Sequence, residues 1–356
     1  MSKIIKVGVI GAGAIAEDHC SGINQHPQAR VVAAVDISTE RLEVLKKQFS
    51  LERTYTDWKD ALADKELDAV TIALPNYLHA TVALSALHAG KHVLVEKPFA
   101  MNYKEALQVV KTAKKTGLVF MVGMNQRFGR HAQIVKALVE KGELGEIYHV
   151  KAYYRRRAGA PKFGTWFCRK DMSGGGAMMD IGVHVLDLAL YLMDNWEPVT
   201  LLASVYTKFG NRKIGEGGWG KSERGKMIFD VDDFGTALLR FKNGATLQLD
   251  ASWVLHQEAP TRHNVELFGT EAGATLEPPR VFKFAISGKR SITGYEIIEP
   301  QNVPVRYPGG SRFKNWIDAI LGKDKPVCTP EQALVVQKIL DAIYLSSTTG
   351  KEVRLK

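Results

Sequence analysis

Residues 6–16 read KVGVIGAGAIA, a stretch in which an apolar run leads into closely spaced small residues. The small residues fit the pattern G-x-G-x-x-G/A, which lets the backbone approach a pyrophosphate at the N-terminus of the following helix. A tight turn without any ligand would use the same glycines. We favour a dinucleotide site and predict that its contacts come from Gly11, Ala12, Gly13, Ala14 and Ile15.

The end of the next predicted strand indicates the type of dinucleotide. Val31–Val35 is followed by Asp36, about twenty residues beyond the glycines, where a carboxylate binds ribose hydroxyls. The same carboxylate would repel a 2'-phosphate, so NAD is predicted as the cofactor and NADP is disfavoured. Two alternatives stay open, because Arg41 could reach a phosphate and Asp36 could simply cap a surface helix.

The periodicity of apolar residues predicts an α/β protein of two domains. Short β-branched runs alternate with amphipathic helical stretches over residues 1–125, which is typical of a doubly wound parallel sheet. Residues 126–356 form the second predicted domain, in which alternating runs after residue 200 indicate an antiparallel sheet. We expect a loop at 209–226 and a helix near 330–346 that packs back on the first domain.

Composition restricts the class of protein. The net charge of +10 is spread along the chain, which disfavours a nucleic-acid partner and favours a solvated basic surface. The N-terminus carries no pattern of an export signal, and no uninterrupted apolar stretch reaches the length of a membrane span. Three widely separated cysteines indicate neither a disulfide framework nor a zinc site. We therefore predict a cytoplasmic protein without a membrane segment.

Polar residues follow the third and fourth of the strands predicted in the first domain. Ligands of open α/β sheets bind at the carboxyl edge of the strands, so these residues are candidates for cofactor and substrate contacts. Lys97 lies there among apolar neighbours that could lower the pKa of its ammonium, although a lysine before a proline is more often a surface residue. The candidates at this edge are Leu74, Pro75, Asn76, His79, Glu96 and Lys97.

A predicted helix after Gly174–Gly176 carries a polar line through apolar sequence. At about 100 degrees per residue, Asp180, His184 and Asp187 share one narrow stripe. Three interpretations compete: a structural network in which a carboxylate orients His184, a metal site, and catalysis. We favour catalysis without a metal, because histidine titrates near neutral pH and a carboxylate one turn away supports its charged form.

Five segments, taken together, resemble the glucose-fructose oxidoreductase and inositol dehydrogenase family (Gfo/Idh/MocA). The resemblance runs nearly from end to end. Its segments in chain order are GAGAIA, LPNYLH, EKP, GMNQRF around Asn125 and Arg127, and GGGAMMDIGVHVLD. Membership implies an N-terminal Rossmann domain and a C-terminal α/β domain with a large, open, mostly antiparallel sheet, whose exposed face pairs subunits into homodimers or homotetramers.

The resemblance also implies roles for individual residues. Lys97 would hold the reacting hydroxyl, His184 would act as general base, and Asp180 would position substrate or His184. Glu96, Asn76 and His79 would line the nicotinamide and its ribose, and Asn125 would also bind the cofactor. The implied substrate contacts are Lys97, Arg127, Tyr153, Arg155, Trp166, Asp180 and His184.

The expected activity is NAD-dependent oxidation of a secondary hydroxyl on a sugar, sugar derivative or cyclitol. An NAD-dependent glycosidase of the same fold is the alternative among enzymes. A non-catalytic nucleotide-binding sensor is the alternative from another class, and the presence of both Lys97 and His184 argues against it.

Overall fold

The computed structural model describes residues 3–220, 227–287, 291–307 and 311–355 of the 356-residue chain. They form two compact units. The first comprises Met1–Met124, Asp171–Gly174 and Ser311–Gln337, and the second comprises Asn125–Lys170, Gly175–Gly310 and Lys338–Lys356. This grouping differs from the predicted domains at residues 171–174 and 311–337, which lie beyond 125 in the chain and yet belong to the first unit.

Helices alternate with parallel strands from the N-terminus onward. In chain order these are β1 Ile5–Ile10, α1 Ala16–Asn24, β2 Ala29–Val35, α2 Thr39–Phe49, β3 Arg53–Tyr55, α3 Trp58–Ala63, β4 Ala69–Ile72, α4 Asn76–His88, β5 His92–Val95, α5 Tyr103–Thr116 and β6 Phe120–Val122. Within the described residues they build a six-stranded sheet of order β3-β2-β1-β4-β5-β6, in which every pair is parallel.

The predicted Rossmann-type sheet is therefore confirmed, with a sixth strand beyond the five that the apolar runs of the first domain predict. The addition is β3, whose three residues are half-buried and carry no β-branched apolar run. The helix boundaries follow local signals. At α5, the Asn102 side chain accepts from the Glu105 amide at 3.0 Å, and the helix ends at Gly117 with φ 66°.

The rest of the chain supplies a second, larger sheet and its helices. The elements are α6 Arg130–Glu140, β7 Ile147–Arg156, α7 Lys170–Ser173, α8 Val183–Met193, β8 Pro198–Tyr206, β9 Phe234–Phe241, β10 Thr246–Ser252, β11 Thr261–Gly269, β12 Gly273–Thr275, β13 Arg280–Ser287, β14 Ser291–Ile298, α9 Arg312–Ile320, α10 Pro330–Thr349 and β15 Val353–Arg354. Residues 221–226 of the predicted loop lie outside the described residues.

The second sheet is mixed and mostly antiparallel, as predicted. Its order across the described strands is β14-β13-β12-β11-β7-β10-β9-β8-β15, and only β7 and β10 are a parallel pair. Along β7, Val150 and Ala152 are buried under α8, whereas Lys151 is exposed on the opposite face. One face of the sheet therefore carries the helices and the other is open.

The helical segment Lys170–Met193 is long and apolar. By length and composition alone it could cross a membrane, contrary to the expectation from the sequence. However, 83% of its apolar 18-residue stretch is buried inside the protein, as in a core helix. Its length and composition are therefore weak grounds for a membrane segment.

Candidate active site

The glycine turn after β1 leaves room for a dinucleotide. Gly11 has φ 106°, and a Cβ there would lie 2.3 Å from the carbonyl oxygen of Ala73, so glycine is required. At Gly13 nothing lies within 4 Å of the Cβ position. No side chain among the described residues caps the N-terminus of α1. Open space beside uncapped amides is what a pyrophosphate needs, so the turn fits the predicted cofactor.

Asp36 is held at the end of β2 by backbone amides. Its carboxylate accepts from the Ala12 amide and from the Ser38 amide, each at 2.8 Å, and the side chain of Arg41 lies 3.8 Å away. The first of these bonds ties the carboxylate to the glycine turn. The contact with Arg41 places a cation near the carboxylate.

The carboxyl edge of the same sheet also presents Lys97, which is half-buried directly after β5. Its neighbour Glu96 is buried and accepts from His19 at 3.0 Å and from Arg312 at 3.1 Å. Burial alone would raise the pKa of Glu96, but the hydrogen bond from His19 and the charge of Arg312 hold that pKa below its ordinary value. Glu96 thus anchors the turn that carries Lys97.

Two other predicted cofactor contacts, Asn76 and His79, are buried in the first unit. The His79 ring nitrogens lie 2.7 Å from the carbonyl oxygens of Leu74 and Pro98, and burial lowers the pKa of the ring. The Asn76 amide donates to the Ser173 carbonyl at 2.8 Å. Both side chains connect the loops at the sheet edge, and this arrangement favours a role in shaping the edge over direct contact with NAD.

The second unit contains a cavity of about 560 Å³. Asp180 and His184, predicted from the helical stripe, both line it. Asp180 accepts a hydrogen bond from the indole of the fully buried Trp253 at 3.0 Å. The lining residues are Asn125, Gln126, Tyr154, Arg156, Ala158, Gly159, Asp180, Ile181, His184, Gly217, Trp219 and Thr261. A carboxylate and an imidazole in one cavity can position a hydroxyl and accept its proton.

Asp232 fixes the start of the segment that carries these two side chains. Its carboxylate accepts from the Gly176 amide at 2.7 Å, the Met178 amide at 2.9 Å and the Tyr344 hydroxyl at 2.8 Å. A Cβ at Gly176 would lie 1.8 Å from the Asp232 carbonyl oxygen, so this close approach requires glycine. The sequence reasoning did not identify Asp232, because a lone aspartate far along the chain gives no local signal.

The predicted stripe on this helix is divided in the structure. Met178–Gly182 is wound as a π-helix before α8 begins, so the angle between Asp180 and the residues of α8 is not that of a continuous α-helix. Asp187 points to Arg127, whose Nε and Nη2 atoms lie 2.8 and 2.5 Å from its carboxylate oxygens. Arg127 is wholly buried and paired with Asp187, which argues against the predicted contact with substrate.

The residues predicted on β7 as substrate contacts, Tyr153 and Arg155, lie on the face of the sheet opposite the cavity. Tyr153 donates to Glu266 at 3.0 Å, and Arg155 stacks on the Tyr153 ring and lies 4.0 Å from Asp250. The cavity is instead lined by the residues one position along, Tyr154 and Arg156. The buried alternate positions earlier in β7 were the available signal, because side chains two residues apart share a face.

Trp166 lies one aromatic ring away from the cavity lining. It stacks on Phe167 with ring centroids 3.7 Å apart, and Phe167 meets Trp219 edge to face at 5.0 Å. Trp219 lies within the predicted loop and lines the cavity.

As for the metal alternative, the described part of the chain contains no group of three or more His, Cys, Asp or Glu side chains placed to hold an ion.

Sequence comparison defines the class of protein. Residues 5–124 match the family described as "Oxidoreductase family, NAD-binding Rossmann fold", and residues 132–275 match its C-terminal domain. The chain therefore belongs to the Gfo/Idh/MocA family of NAD-binding oxidoreductases, which act on CH–OH groups. The predicted family and enzyme class are confirmed.

Among its relatives is the D-glucoside 3-dehydrogenase of Escherichia coli, which is 31% identical over 99% of this chain and 98% of its own length. The myo-inositol 2-dehydrogenase of Thermotoga maritima is 28% identical over 70% of this chain and 68% of its own. An NAD-binding protein of Listeria innocua has the same fold, with a TM-score of 0.79, 26% identity, and coverage of 99% of this chain and 97% of its own.

Proposed function

We propose that this enzyme oxidises a secondary hydroxyl of a sugar, sugar derivative or cyclitol, with NAD as the hydride acceptor. The observation that carries the proposal is the presence of Asp180 and His184 in one cavity of a chain whose first unit has an NAD-binding fold. Relatives that are sugar and inositol dehydrogenases support the substrate class. NAD rather than NADP is proposed because of the carboxylate of Asp36.

The chain's own residues supply orientation and proton handling. His184 accepts the hydroxyl proton on its imidazole, Asp180 stabilises the protonated ring or positions the substrate, and Lys97 donates a hydrogen bond to the reacting oxygen. Trp253 keeps the Asp180 carboxylate directed into the cavity through its indole N–H. When bound, the nicotinamide supplies the redox chemistry.

The test is a screen of sugars, cyclitols and sugar phosphates with NAD, following the absorbance of NADH. For a substrate that is turned over, we expect Lys97→Met and His184→Asn to lower kcat by about 10²–10⁴-fold with NAD affinity nearly intact. Lys104→Met, which alters an exposed lysine on α5, is the matched control and should be neutral. Unchanged kcat in the Lys97 variant would refute the role of Lys97.

The same screen separates the alternatives. A glycosidase that oxidises its substrate only transiently would release free sugar from a glycoside without net NADH. A sensor would bind NAD and ligand without any turnover. Accumulation of NADH in proportion to ketone formed is the outcome that the proposed dehydrogenase requires.

We further propose that the open face of the second sheet pairs subunits into homodimers or homotetramers. Large apolar side chains are exposed on this face, including Leu202 at 55%, Leu238 at 53%, Phe284 at 67% and Tyr295 at 71%. Apolar exposure of this extent on one sheet face favours association. Sedimentation equilibrium is the test, and a monomer at micromolar concentration would contradict the proposal. The cytoplasmic location stays a prediction.

A further inference from the structure

The cavity that contains Asp180 and His184 also contains a permanent cation. Among its described lining residues, Arg156 is the one side chain that is positively charged at every accessible pH. It is the last residue of β7, opposite Thr261 of β11, and is half-buried. A guanidinium in this position requires a chemical explanation, because removing it from water is unfavourable unless its charge is used.

The Arg156 side chain is held firmly in place. Its Nη2 donates to the Tyr154 hydroxyl at 2.9 Å and its Nη1 donates to the Gly159 carbonyl at 3.3 Å, while the guanidinium stacks on the Tyr154 ring at 4.9 Å. A Cβ at Gly159 would lie 2.6 Å from Cδ of Arg156, so the arginine packs directly against this glycine. The guanidinium is therefore positioned before any ligand arrives.

The groups that hold Arg156 are neutral. Two other arginines of the second unit lie beside carboxylates: Arg127 pairs with Asp187, and Arg155 lies 4.0 Å from Asp250. For Arg156, no carboxylate of the described residues lies within 4.0 Å. Its positive charge thus remains available to a ligand in the cavity. The guanidinium N–H groups that do not donate to Tyr154 or Gly159 remain available as well.

We propose that the substrate of this enzyme carries an oxyanion, either a phosphate ester or a carboxylate, which Arg156 binds while another part of the same molecule is oxidised. The inference rests on the proposed dehydrogenase function and narrows its substrate class. A planar fork of donors matches two oxygens of a phosphate or carboxylate, and such charge-assisted pairs are about twice as strong as neutral hydrogen bonds.

The experiment compares substrates that differ in charge. Glucose, methyl glucoside and myo-inositol are the neutral set, glucose 6-phosphate and inositol 1-phosphate are the phosphate set, and glucuronate and gluconate are the carboxylate set. We expect kcat/KM for one anionic set to exceed the neutral set by about tenfold or more. The phosphate and carboxylate sets identify which oxyanion is bound.

Variants at neighbouring positions test the residue itself. Arg156→Gln should lower kcat/KM for the preferred anionic substrate by about tenfold to a hundredfold and change neutral substrates by less than about threefold. The kcat/KM of Arg156→Lys for the anionic substrate should lie between those of the wild type and Arg156→Gln, because lysine keeps the charge and lacks the planar pair of donors. Arg155→Gln is the matched control, since its side chain lies on the opposite face of β7, and it should leave the ratio unchanged.

Two outcomes would overturn the inference. One is a wild-type enzyme that prefers neutral substrates, and the other is an Arg156→Gln variant that loses neutral and anionic substrates equally. Thermal-shift titration of wild type and Arg156→Gln with the same compounds in the presence of NAD provides an independent measurement. If no compound is turned over, the proposed function fails, while stabilisation by the anionic sets that Arg156→Gln abolishes would still support the oxyanion site. Equal stabilisation of both proteins would refute it.

Discussion

Replacing Arg127 by methionine should destabilise the protein without impairing substrate binding. The guanidinium makes two hydrogen bonds to Asp187 and lies 5.1 Å from the ring centroids of both Tyr191 and Trp196. The Arg127 and Asp187 side chains are 0% and 1% exposed, so the substitution leaves a carboxylate buried without its counter-charge. Breaking such a pair costs about 3–5 kcal/mol in the free energy of unfolding.

The assay is equilibrium unfolding in urea followed by far-ultraviolet circular dichroism, with the shift in midpoint converted through the m value of the variants. A double variant, Arg127→Met with Asp187→Leu, should recover most of the loss, because no charge then remains buried. Arg130→Met, at an exposed position three residues along, is the control. A loss below about 1 kcal/mol together with a raised substrate KM would refute this reasoning and restore Arg127 as a substrate contact.

Two further substitutions test the residues that hold the cofactor and the catalytic segment. Asp36→Ala should raise the KM for NAD by about tenfold or more, because it removes the acceptor for the ribose hydroxyls. The KM for NADP should rise by less. An unchanged ratio of kcat/KM between the two cofactors would contradict this role. Asp232→Asn should lower kcat by about tenfold with little change in the KM for NAD, because an amide group would oppose the Gly176 or Met178 N–H. Tyr344→Phe removes the hydrogen bond from the Tyr344 hydroxyl to Asp232 and should lower kcat by a smaller factor. If Asp232→Asn lowers the melting temperature and leaves kcat unchanged, Asp232 contributes to stability alone.

Local patterns were sufficient to predict the fold. The alternation of strands and helices indicated the parallel sheet, and the Asn102–Glu105 capping box fixed the start of α5. The missed strand β3 is three residues long, and its pairing with β2 supplies the signal that its own sequence lacks. Short edge strands depend on their neighbours more than on intrinsic propensity.

The candidate site was less predictable, for reasons that differ between residues. Helical spacing grouped Asp180 with His184, and both line the cavity, but the π-helix before Val183 and the pairing of Asp187 with Arg127 are not encoded in that spacing. On β7, the predicted substrate contacts Tyr153 and Arg155 each lie one position before a residue that lines the cavity. The face that lines the cavity depends on which side of the sheet α8 covers, and the residues near the end of the strand do not encode it.

Because side chains alternate between the two faces of β7, neighbouring residues of this strand affect two different properties of the enzyme, the cavity and the open surface of the sheet. Substitutions at 154 and 156 alter the lining of the cavity, whereas substitutions at 153 and 155 alter the opposite face of the sheet. An engineer could therefore change which compounds are accepted through one pair and adjust solubility or self-association through the other. Each pair could be varied in its own library, and double-mutant cycles would measure the coupling between these neighbouring positions.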